Sequence, residues 1–213
     1  MLELVRRAKY MLMVPVALYL VLFAAGYIAG RYRVCQAAEL RNSYIVRLSS
    51  TLEYKVPGYG TLLERYKSFH DARRNALVFG RDYRGLWLLI FTNNFFITNA
   101  MTVIRAVFVM PALLNIYCAF FQGVVLAQAP SSAFIWLSLA LEFGGYLITI
   151  GATVSGLFWI VFADRYGFQS RKNGARNALA LFVFLLAISG CMIAVGSSLE
   201  TLLIKTAFGS LGR

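Results

Sequence analysis

Charged side chains are scarce in this chain of 213 residues. They make up 14% of the sequence, against about 25% in an ordinary soluble domain. Apolar residues make up 60%, and the mean hydropathy is +0.67. The apolar residues fall into runs long enough to cross a bilayer, and Lys and Arg flank these runs. This pattern disfavours a disordered chain and a small secreted disulfide scaffold, and it indicates an integral membrane protein.

Acidic residues are few compared with basic ones. The chain has 9 Asp and Glu against 21 Lys and Arg, which gives a formal net charge of +12 and a pI near 10.0. On a soluble fold this charge would suggest binding to a phosphate backbone. Here the basic residues bracket apolar runs, where they would meet anionic lipid headgroups. We therefore expect a lipid bilayer as the partner, and no nucleic acid.

Residues that bind metals or attack substrates are also rare. There is one histidine, His70, which follows a basic stretch and precedes Asp71, and there are three widely spaced cysteines, predicted to be unpaired: Cys35, Cys118 and Cys191. Metal sites and serine hydrolases need clustered His, Cys, Ser or carboxylate groups. A Gly-rich phosphate loop ending in Lys-Ser or Lys-Thr is missing. The sequence therefore predicts no enzyme, no metal and no cofactor.

Five apolar runs predict an all-α, polytopic membrane protein with about five transmembrane helices. The runs lie at 11–30, 86–104, 106–128, 133–163 and 178–196. The fourth run is much longer than the roughly 20 residues that one spanning helix needs, and it contains Gly144-Gly145. We therefore expect the fourth segment to be broken or re-entrant.

The same runs divide the chain into four regions. These are an N-terminal transmembrane helix (1–30), a basic extramembrane segment (31–85), a transmembrane core (86–197) and a C-terminal tail (198–213).

Residues 31–85 are predicted to form two amphipathic helices, because apolar residues recur at helical spacing on both sides of Pro57-Gly58-Tyr59-Gly60. In the second helix the apolar positions are Leu62, Tyr66, Phe69 and Ala76. The membrane interface, the protein's own helices or a partner could each bury such a stripe.

Small residues at a spacing of about four predict close helix packing, since they let two backbones approach within a membrane. The candidate packing positions are Gly26, Gly30, Gly144, Gly145, Gly151, Ser155 and Gly156.

Glu142 is the acidic residue that falls inside a predicted membrane run, which makes it the first site candidate. Burying a carboxylate costs several kcal/mol unless the group is paired or protonated. Its candidate partners in substrate or partner contact are Asn93, Asn94, Asn99, Arg105 and Gln122. A structural carboxylate satisfied by these groups and a carboxylate that couples to protons or contacts substrate are both compatible with the sequence.

The basic residues also predict an orientation. The 164–177 loop carries four basic residues and the 129–132 turn carries none, so we expect 164–177 in the cytoplasm of a cell with a bacterial inner membrane. Five full spans would then put the 31–85 segment outside, against its eleven basic residues. If 86–104 is re-entrant, that segment moves inside.

Three motifs between residues 86 and 163 resemble the stage II sporulation protein M family of integral membrane proteins. They are Ile90-Phe91-Thr92-Asn93-Asn94, the stretch from Asn115 to Gln122-Gly123, and Leu141-Glu142 leading to a Gly-rich helix over 151–156. That family typically has an Asn-Asn pair, then an Asn-Gly or Lys-Gly step, then Pro-His-Gly before the Glu. This chain has Gln122-Gly123 at the second motif and Leu137-Ser138-Leu139 in place of Pro-His-Gly.

The resemblance implies a non-enzymatic multi-spanning protein. Members of the family are associated with membrane remodelling and cell-wall assemblies during sporulation, and elsewhere they are encoded beside transporter or ATPase components.

Two functions follow as hypotheses. The first is a membrane subunit or scaffold of a larger complex, with other membrane subunits or further copies of itself as partners. It could be the permease-like partner of a separately encoded ATPase. The alternative is a self-sufficient channel or secondary transporter that uses Glu142 at the membrane midplane.

Overall fold

The computed structural model describes residues 1–33, 59–98, 111–128 and 132–209, and in these ranges every regular element is a helix. The elements are α1 (Leu2–Arg31), α2 (Tyr59–Phe79), α3 (Tyr83–Thr92), a π-helix that continues α3 (Asn93–Thr98), α4 (Pro111–Gln128), α5 (Ala133–Val161), a 3₁₀ turn (Ala163–Tyr166) and α6 (Arg171–Gly209). The predicted all-α class is confirmed for this part of the chain.

Three of these helices are long and apolar enough to cross a membrane. The candidate spans are Leu12–Arg31 in α1, Ala133–Val161 in α5 and Arg171–Phe208 in α6. This agrees with a membrane protein. The predicted spans at 86–104 and 106–128 both include residues outside the described ranges, and their described parts form α3 with the π-helix and α4. The five-span arrangement therefore stays a prediction.

The predicted break in the fourth segment is wrong, because α5 is one uninterrupted helix of 29 residues. Its start is capped by Ser132, whose Oγ accepts a hydrogen bond from the Ile135 N–H at 3.3 Å. Gly145 does not interrupt the helix but makes room for α6: a Cβ there would lie 3.0 Å from Ile193 Cγ1 and 3.1 Å from Ser189 Oγ.

Helix α6 is also longer than the sequence predicted. The apolar run ends near residue 196, but the helix continues without a break to Gly209. The predicted boundary between the core and the tail at 197–198 therefore falls inside a helix, and Glu200 lies within a candidate span.

Helices α5 and α6 pack antiparallel along most of their length. At one end Ser138 Oγ donates to the Gly196 carbonyl at 2.8 Å. At the other end Gly174 lies against the Trp159 carbonyl, where a Cβ would clash with the backbone, and Gly156 faces Ala178. These backbone contacts hold the two long helices in register.

Two of the predicted packing positions, Gly26 and Gly30, lie where α1 crosses α4. A Cβ on Gly26 would collide with the Phe120 carbonyl, and one on Gly30 would lie 2.9 Å from Val124 Cα. Gly123 of α4 returns the contact, since a Cβ there would meet the Phe23 carbonyl. The two backbones therefore touch, which only glycine permits.

The other predicted packing residues lie along α5. Gly151 meets α1, where a Cβ would lie 3.0 Å from Leu12 Cα, and Gly144 faces the end of the Met192 side chain. Ser155 is fully buried.

The two ends of the bundle can be named by two arginines of α1. At the Arg7 end, Arg7 Nη1 donates to the Tyr166 carbonyl at 3.1 Å, and its guanidinium lies 5.6 Å from the centre of the Phe168 ring. The Arg31 end holds the start of α5, since the rings of Tyr27 and Trp136 are 5.6 Å apart. The C-terminal part of α6 and the turn between α2 and α3 also lie there, because the rings of Phe79 and Phe208 are in contact.

Helix α2 is the second of the two predicted amphipathic helices; the first, before residue 59, lies outside the described residues. Its buried face differs from the predicted stripe. Leu77 and Val78 pack against Leu86 and Ile90 of α3, whereas Phe69 and Ala76 are exposed. The prediction misassigned this face because polar side chains of α2 also point into the bundle.

We predict that Gly26→Leu or Gly123→Leu separates α1 from α4. Either side chain would collide with backbone, which cannot move aside, so the free energy of unfolding should fall by at least about 1–3 kcal/mol. Thermal unfolding of the purified protein in mild detergent measures this loss. Ala25→Leu is the matched control, because Ala25 is the exposed neighbour of Gly26. Equal melting temperatures for all three variants would show that the α1–α4 contact is not close.

Candidate functional site

Helix α3 brings Asn93 and Asn94 against α6. Asp82 caps the start of α3 by accepting a hydrogen bond from the Gly85 N–H at 2.9 Å. Trp87 Nε1 then donates to Ser198 Oγ at 3.0 Å, which places α3 alongside α6. Immediately after α3 the backbone widens into the π-helix, which starts at Asn93. Single π-turns of this kind are rare and are often found at functional sites.

A chain of three hydrogen bonds runs from α2 into the bundle and ends on Glu142. The Tyr66 hydroxyl donates to Asn93 Oδ1 at 2.6 Å, Asn93 Nδ2 donates to Asn94 Oδ1 at 3.1 Å, and Asn94 Nδ2 donates to Glu142 Oε1 at 2.9 Å. Every donor points towards the carboxylate. Such aligned bonds polarise one another and strengthen the acceptor end.

The Tyr66 phenol starts this chain as a donor. Tyr66 lies in α2, outside the candidate spans, and burial raises the pKa of its hydroxyl above the usual value. The hydroxyl therefore keeps its proton at neutral pH and can donate it to Asn93.

Glu142 is buried between α5 and α6, with 8% of its surface exposed. The space for its side chain exists because residue 196 is glycine: a Cβ there would lie 2.7 Å from Glu142 Cγ and 3.1 Å from the Ser138 carbonyl. Ser138 holds the two helices together at this level through its bond to the Gly196 carbonyl. Gly196 and Ser138 thus define the position of the Glu142 side chain.

A second carboxylate, Glu200, lies one helical turn after Gly196 and interacts electrostatically with Glu142. Arg74 Nη2 of α2 forms an ion pair with Glu200 Oε1 at 3.2 Å. His70 is also close enough to interact with the Glu200 charge. Two acidic groups of the candidate spans are therefore both connected to α2, one through Tyr66 and the asparagines and one through Arg74.

His70 lies between these two connections. Its ring centre is 6.1 Å from that of Tyr66, and its Nδ1 is 3.7 Å from Asp71 Oδ1. Its Nε2 is buried and makes no hydrogen bond within the described part of the chain.

We use the name acidic cluster for Glu142, Glu200, Asn93, Asn94, Tyr66, His70 and Arg74. The cluster lies towards the Arg31 end of the bundle. Glu142 is nine residues after the start of α5 and Glu200 is nine residues before the end of α6, so each lies about 14 Å along the helix from that end.

The other predicted partners of Glu142 lie elsewhere or outside the described residues. Gln122 of α4 accepts a hydrogen bond from the Tyr19 hydroxyl, and the Tyr19 ring lies 5.8 Å from that of Phe143, the neighbour of Glu142. Asn99 and Arg105 both fall outside the described ranges.

Sequence reasoning missed Glu200, His70 and Arg74, and it treated Tyr66 only as an apolar position. One signal could have found Glu200: apolar residues continue at 199 and 202–204, which indicates that the last helix does not stop at 196. The sequence held no comparable signal for His70 and Arg74, because their roles depend on how α2 docks.

The chemistry of the acidic cluster is that of carboxylates held by donors. Carboxylates in this setting can hold a proton or a cation, and amides and a guanidinium can orient or neutralise them. Among the described residues, no group of three or more His, Cys, Asp or Glu could hold a metal ion, and Cys191 is a free, exposed thiol.

Comparisons with known proteins return no match: no family model, no curated protein and no solved structure is similar to this chain. The resemblance to the stage II sporulation protein M family therefore stays a prediction.

We predict that Asn94 and Glu142 are energetically coupled. Asn94→Ala leaves the buried Glu142 oxygen without its donor and should lower the free energy of unfolding by about 1–3 kcal/mol. A double-mutant cycle with Glu142→Ala should give a coupling energy of about 0.5–3 kcal/mol. The control is Asn177→Ala, because within the part of the chain that the structure describes Asn177 Nδ2 donates to the Asn173 carbonyl of its own helix. The stability losses of Asn177→Ala and Glu142→Ala should simply add. If the losses of Asn94→Ala and Glu142→Ala also add, the hydrogen-bond chain is contradicted.

Proposed function

We propose that this protein is a non-enzymatic membrane subunit of a multicomponent complex, in which a partner acts on α2 and α2 acts on the acidic cluster. One observation carries this proposal. A polar helix outside the candidate spans is connected by two separate polar paths, Tyr66–Asn93–Asn94 and Arg74, to two carboxylates inside them.

The outward face of α2 supports a partner at this helix. Phe69 and Phe79 expose 67% and 76% of their surface, and Arg65 and Arg73 are exposed on the same helix. Exposed aromatic and arginine side chains are enriched at protein interfaces. The inward face, by contrast, is occupied by the contacts to the acidic cluster and to α3.

Movement of α2 would change the environment of both carboxylates. Withdrawing Arg74 from Glu200 removes a positive charge from a pair of like-charged groups, which interact over short distances in a medium of low dielectric constant. Shifting Tyr66 releases the first donor of the chain that ends on Glu142. Such coupling suits the permease-like partner of a separately encoded ATPase, which is what the family resemblance also implies.

The protein would reside in the cell membrane, in a bacterium the inner membrane, with five spans formed by the three candidate helices and by the two runs at 86–104 and 106–128. Further copies of the chain or other membrane subunits would complete the complex.

The alternative is a channel or secondary transporter that works alone. One observation favours it: Glu142 does not stand by itself but interacts with Glu200 in a neighbouring helix. Acidic side chains that interact with one another inside candidate spans often mark proton and ion pathways in membrane proteins.

We predict that the tagged protein, purified from its native membrane in mild detergent, carries a second protein in stoichiometric amount. Phe69→Ser should reduce the amount of this protein, because it removes an exposed aromatic contact from α2. The matched control is Phe134→Ser, since Phe134 is similarly exposed on α5. Identification of the partner as an ATPase or a second membrane subunit, by mass, completes the measurement. A particle without any partner would contradict the subunit hypothesis.

Glu142→Gln and Glu200→Gln separate the two functions. In a subunit, both variants should keep the partner while the activity of the complex changes, because the connection to α2 persists but the charges are lost. In a self-sufficient transporter, the purified protein alone should move protons or cations into liposomes, and either variant should reduce this flux at least tenfold. Proton flux through the isolated wild-type protein would decide for the transporter.

A further inference from the structure

A cavity of about 510 Å³ opens at the Arg31 end of the bundle, and the residues of the acidic cluster do not line it. The described residues that line it are Gly30, Arg31, Arg33, Ala127 and Gln128. Its walls are the last turn of α1 and the last turn of α4. The volume is large enough for a phosphate group together with part of an organic headgroup.

The contact between α1 and α4 determines where this cavity lies. Gly30 lies against α4, where a Cβ would be 2.9 Å from Val124 Cα and from Ala127 Cβ. Beyond this point α1 ends at Arg31, which is also the last residue of a candidate span. The cavity therefore lies at the level where hydrocarbon gives way to lipid headgroups. Tyr27 and Trp136, whose rings are in contact one turn earlier, are residue types enriched at this level.

Two guanidinium groups supply the charge of the cavity. Arg31 and Arg33 are both exposed, and neither pairs with a carboxylate in the part of the chain that the structure describes. The carbonyl groups at the C-terminal end of α1 carry partial negative charge, which would repel an anion unless positive side chains outweighed it. Two arginines provide that excess of positive charge.

The backbone of Arg33 closes the C-terminal end of α1. The Arg33 N–H bonds to the Gly30 carbonyl at 3.1 Å, and Arg33 has a φ of +57°, in the left-handed region. Helices often end on such a residue, and it is usually glycine because a side chain costs energy in this conformation. Replacing Arg33 with glycine therefore removes the side-chain charge without straining the backbone.

We propose that this cavity binds a phosphate-bearing anion, and that its source is the headgroup of an anionic phospholipid. Guanidinium groups form paired hydrogen bonds with phosphate oxygens, which makes arginine the preferred residue for this ligand. The cavity lies at the headgroup level, so a lipid headgroup is the phosphate group nearest to it. Free phosphate shares the same chemistry and would occupy the same place. This inference does not depend on the function proposed above.

The test measures lipid binding to the full-length protein by native mass spectrometry, during titration with phosphatidylglycerol and, separately, phosphatidylcholine. Phosphatidylglycerol should bind more tightly. Arg31→Gln and Arg33→Gly should each weaken this binding about fivefold, the loss expected for one basic residue near an anionic lipid. A second titration with inorganic phosphate in millimolar excess identifies the source of the anion: unchanged lipid binding assigns the site to lipid, and competition assigns it to free phosphate.

Arg81→Gly is the matched control. Arg81 is also exposed, has a φ of +56° and lies at the same end of the bundle, in the turn between α2 and α3, but it does not line the cavity. Both glycine variants remove the energy cost that a side chain has in the left-handed backbone conformation, so both should keep or raise the melting temperature. Only Arg33→Gly should lose lipid. Equal binding of the two lipids, or equal loss in Arg33→Gly and Arg81→Gly, would overturn the proposal.

Discussion

The placement of Glu142 between two long apolar helices is the constraint on which the rest of the interior depends. A buried carboxylate must receive hydrogen bonds or face a large cost of desolvation. Here the requirement is met by Asn94 of the π-helix that continues α3, and α3 in turn must lie beside α6. It also requires glycine at 196, because any side chain there would occupy the space of the Glu142 side chain. One acidic side chain thereby restricts the positions of α3, α5 and α6 together.

The same constraint extends to α2. Because Asn93 Nδ2 donates to Asn94, the Asn93 Oδ1 atom remains as a hydrogen-bond acceptor. The Tyr66 hydroxyl of α2 donates to this atom. Arg74 meets a similar need at Glu200. Polar contacts of this kind are directional, whereas apolar packing between helices in a membrane is not. The docking of α2 is therefore specified mainly by the acidic cluster, and the apolar contacts of Leu77 and Val78 support it.

Glycine determines the remaining helix contacts. In a membrane there is little hydrophobic gain when two helices meet, so close approach of backbones has to supply the attraction. The crossings of α1 with α4 at Gly26 and Gly123, and of α5 with α6 at Gly174, place a glycine directly against a neighbouring carbonyl. The cavity at Arg31 and Arg33 is a consequence of one such crossing, because it lies where α1 and α4, held together at Gly30, both come to an end.

Much of the fold could be predicted from the sequence, because run length, hydropathy and flanking charge are local properties. They indicated the all-α class and the apolar helices, and they named Asn94, which donates to Glu142 in the structure, among its candidate partners. Local properties failed where a neighbour decides the outcome. Gly144-Gly145 predicted a break in α5, but α6 packs against these glycines and the helix continues. The polar residues after 196 suggested a tail, but contacts with α2 and α3 extend α6 through Glu200.

By itself, then, the sequence determined that the chain forms helices long and apolar enough to cross a membrane, and it pointed to Glu142 as an inward-facing carboxylate, since the cost of placing polar groups in lipid leaves few other arrangements. Only the tertiary structure decided which groups meet that carboxylate. Tyr66 and Arg74 lie far from Glu142 and Glu200 along the chain, and their types are ordinary for an amphipathic surface helix. Their roles arise from the docking of α2, and that docking depends on directional contacts between distant segments, which no local pattern encodes.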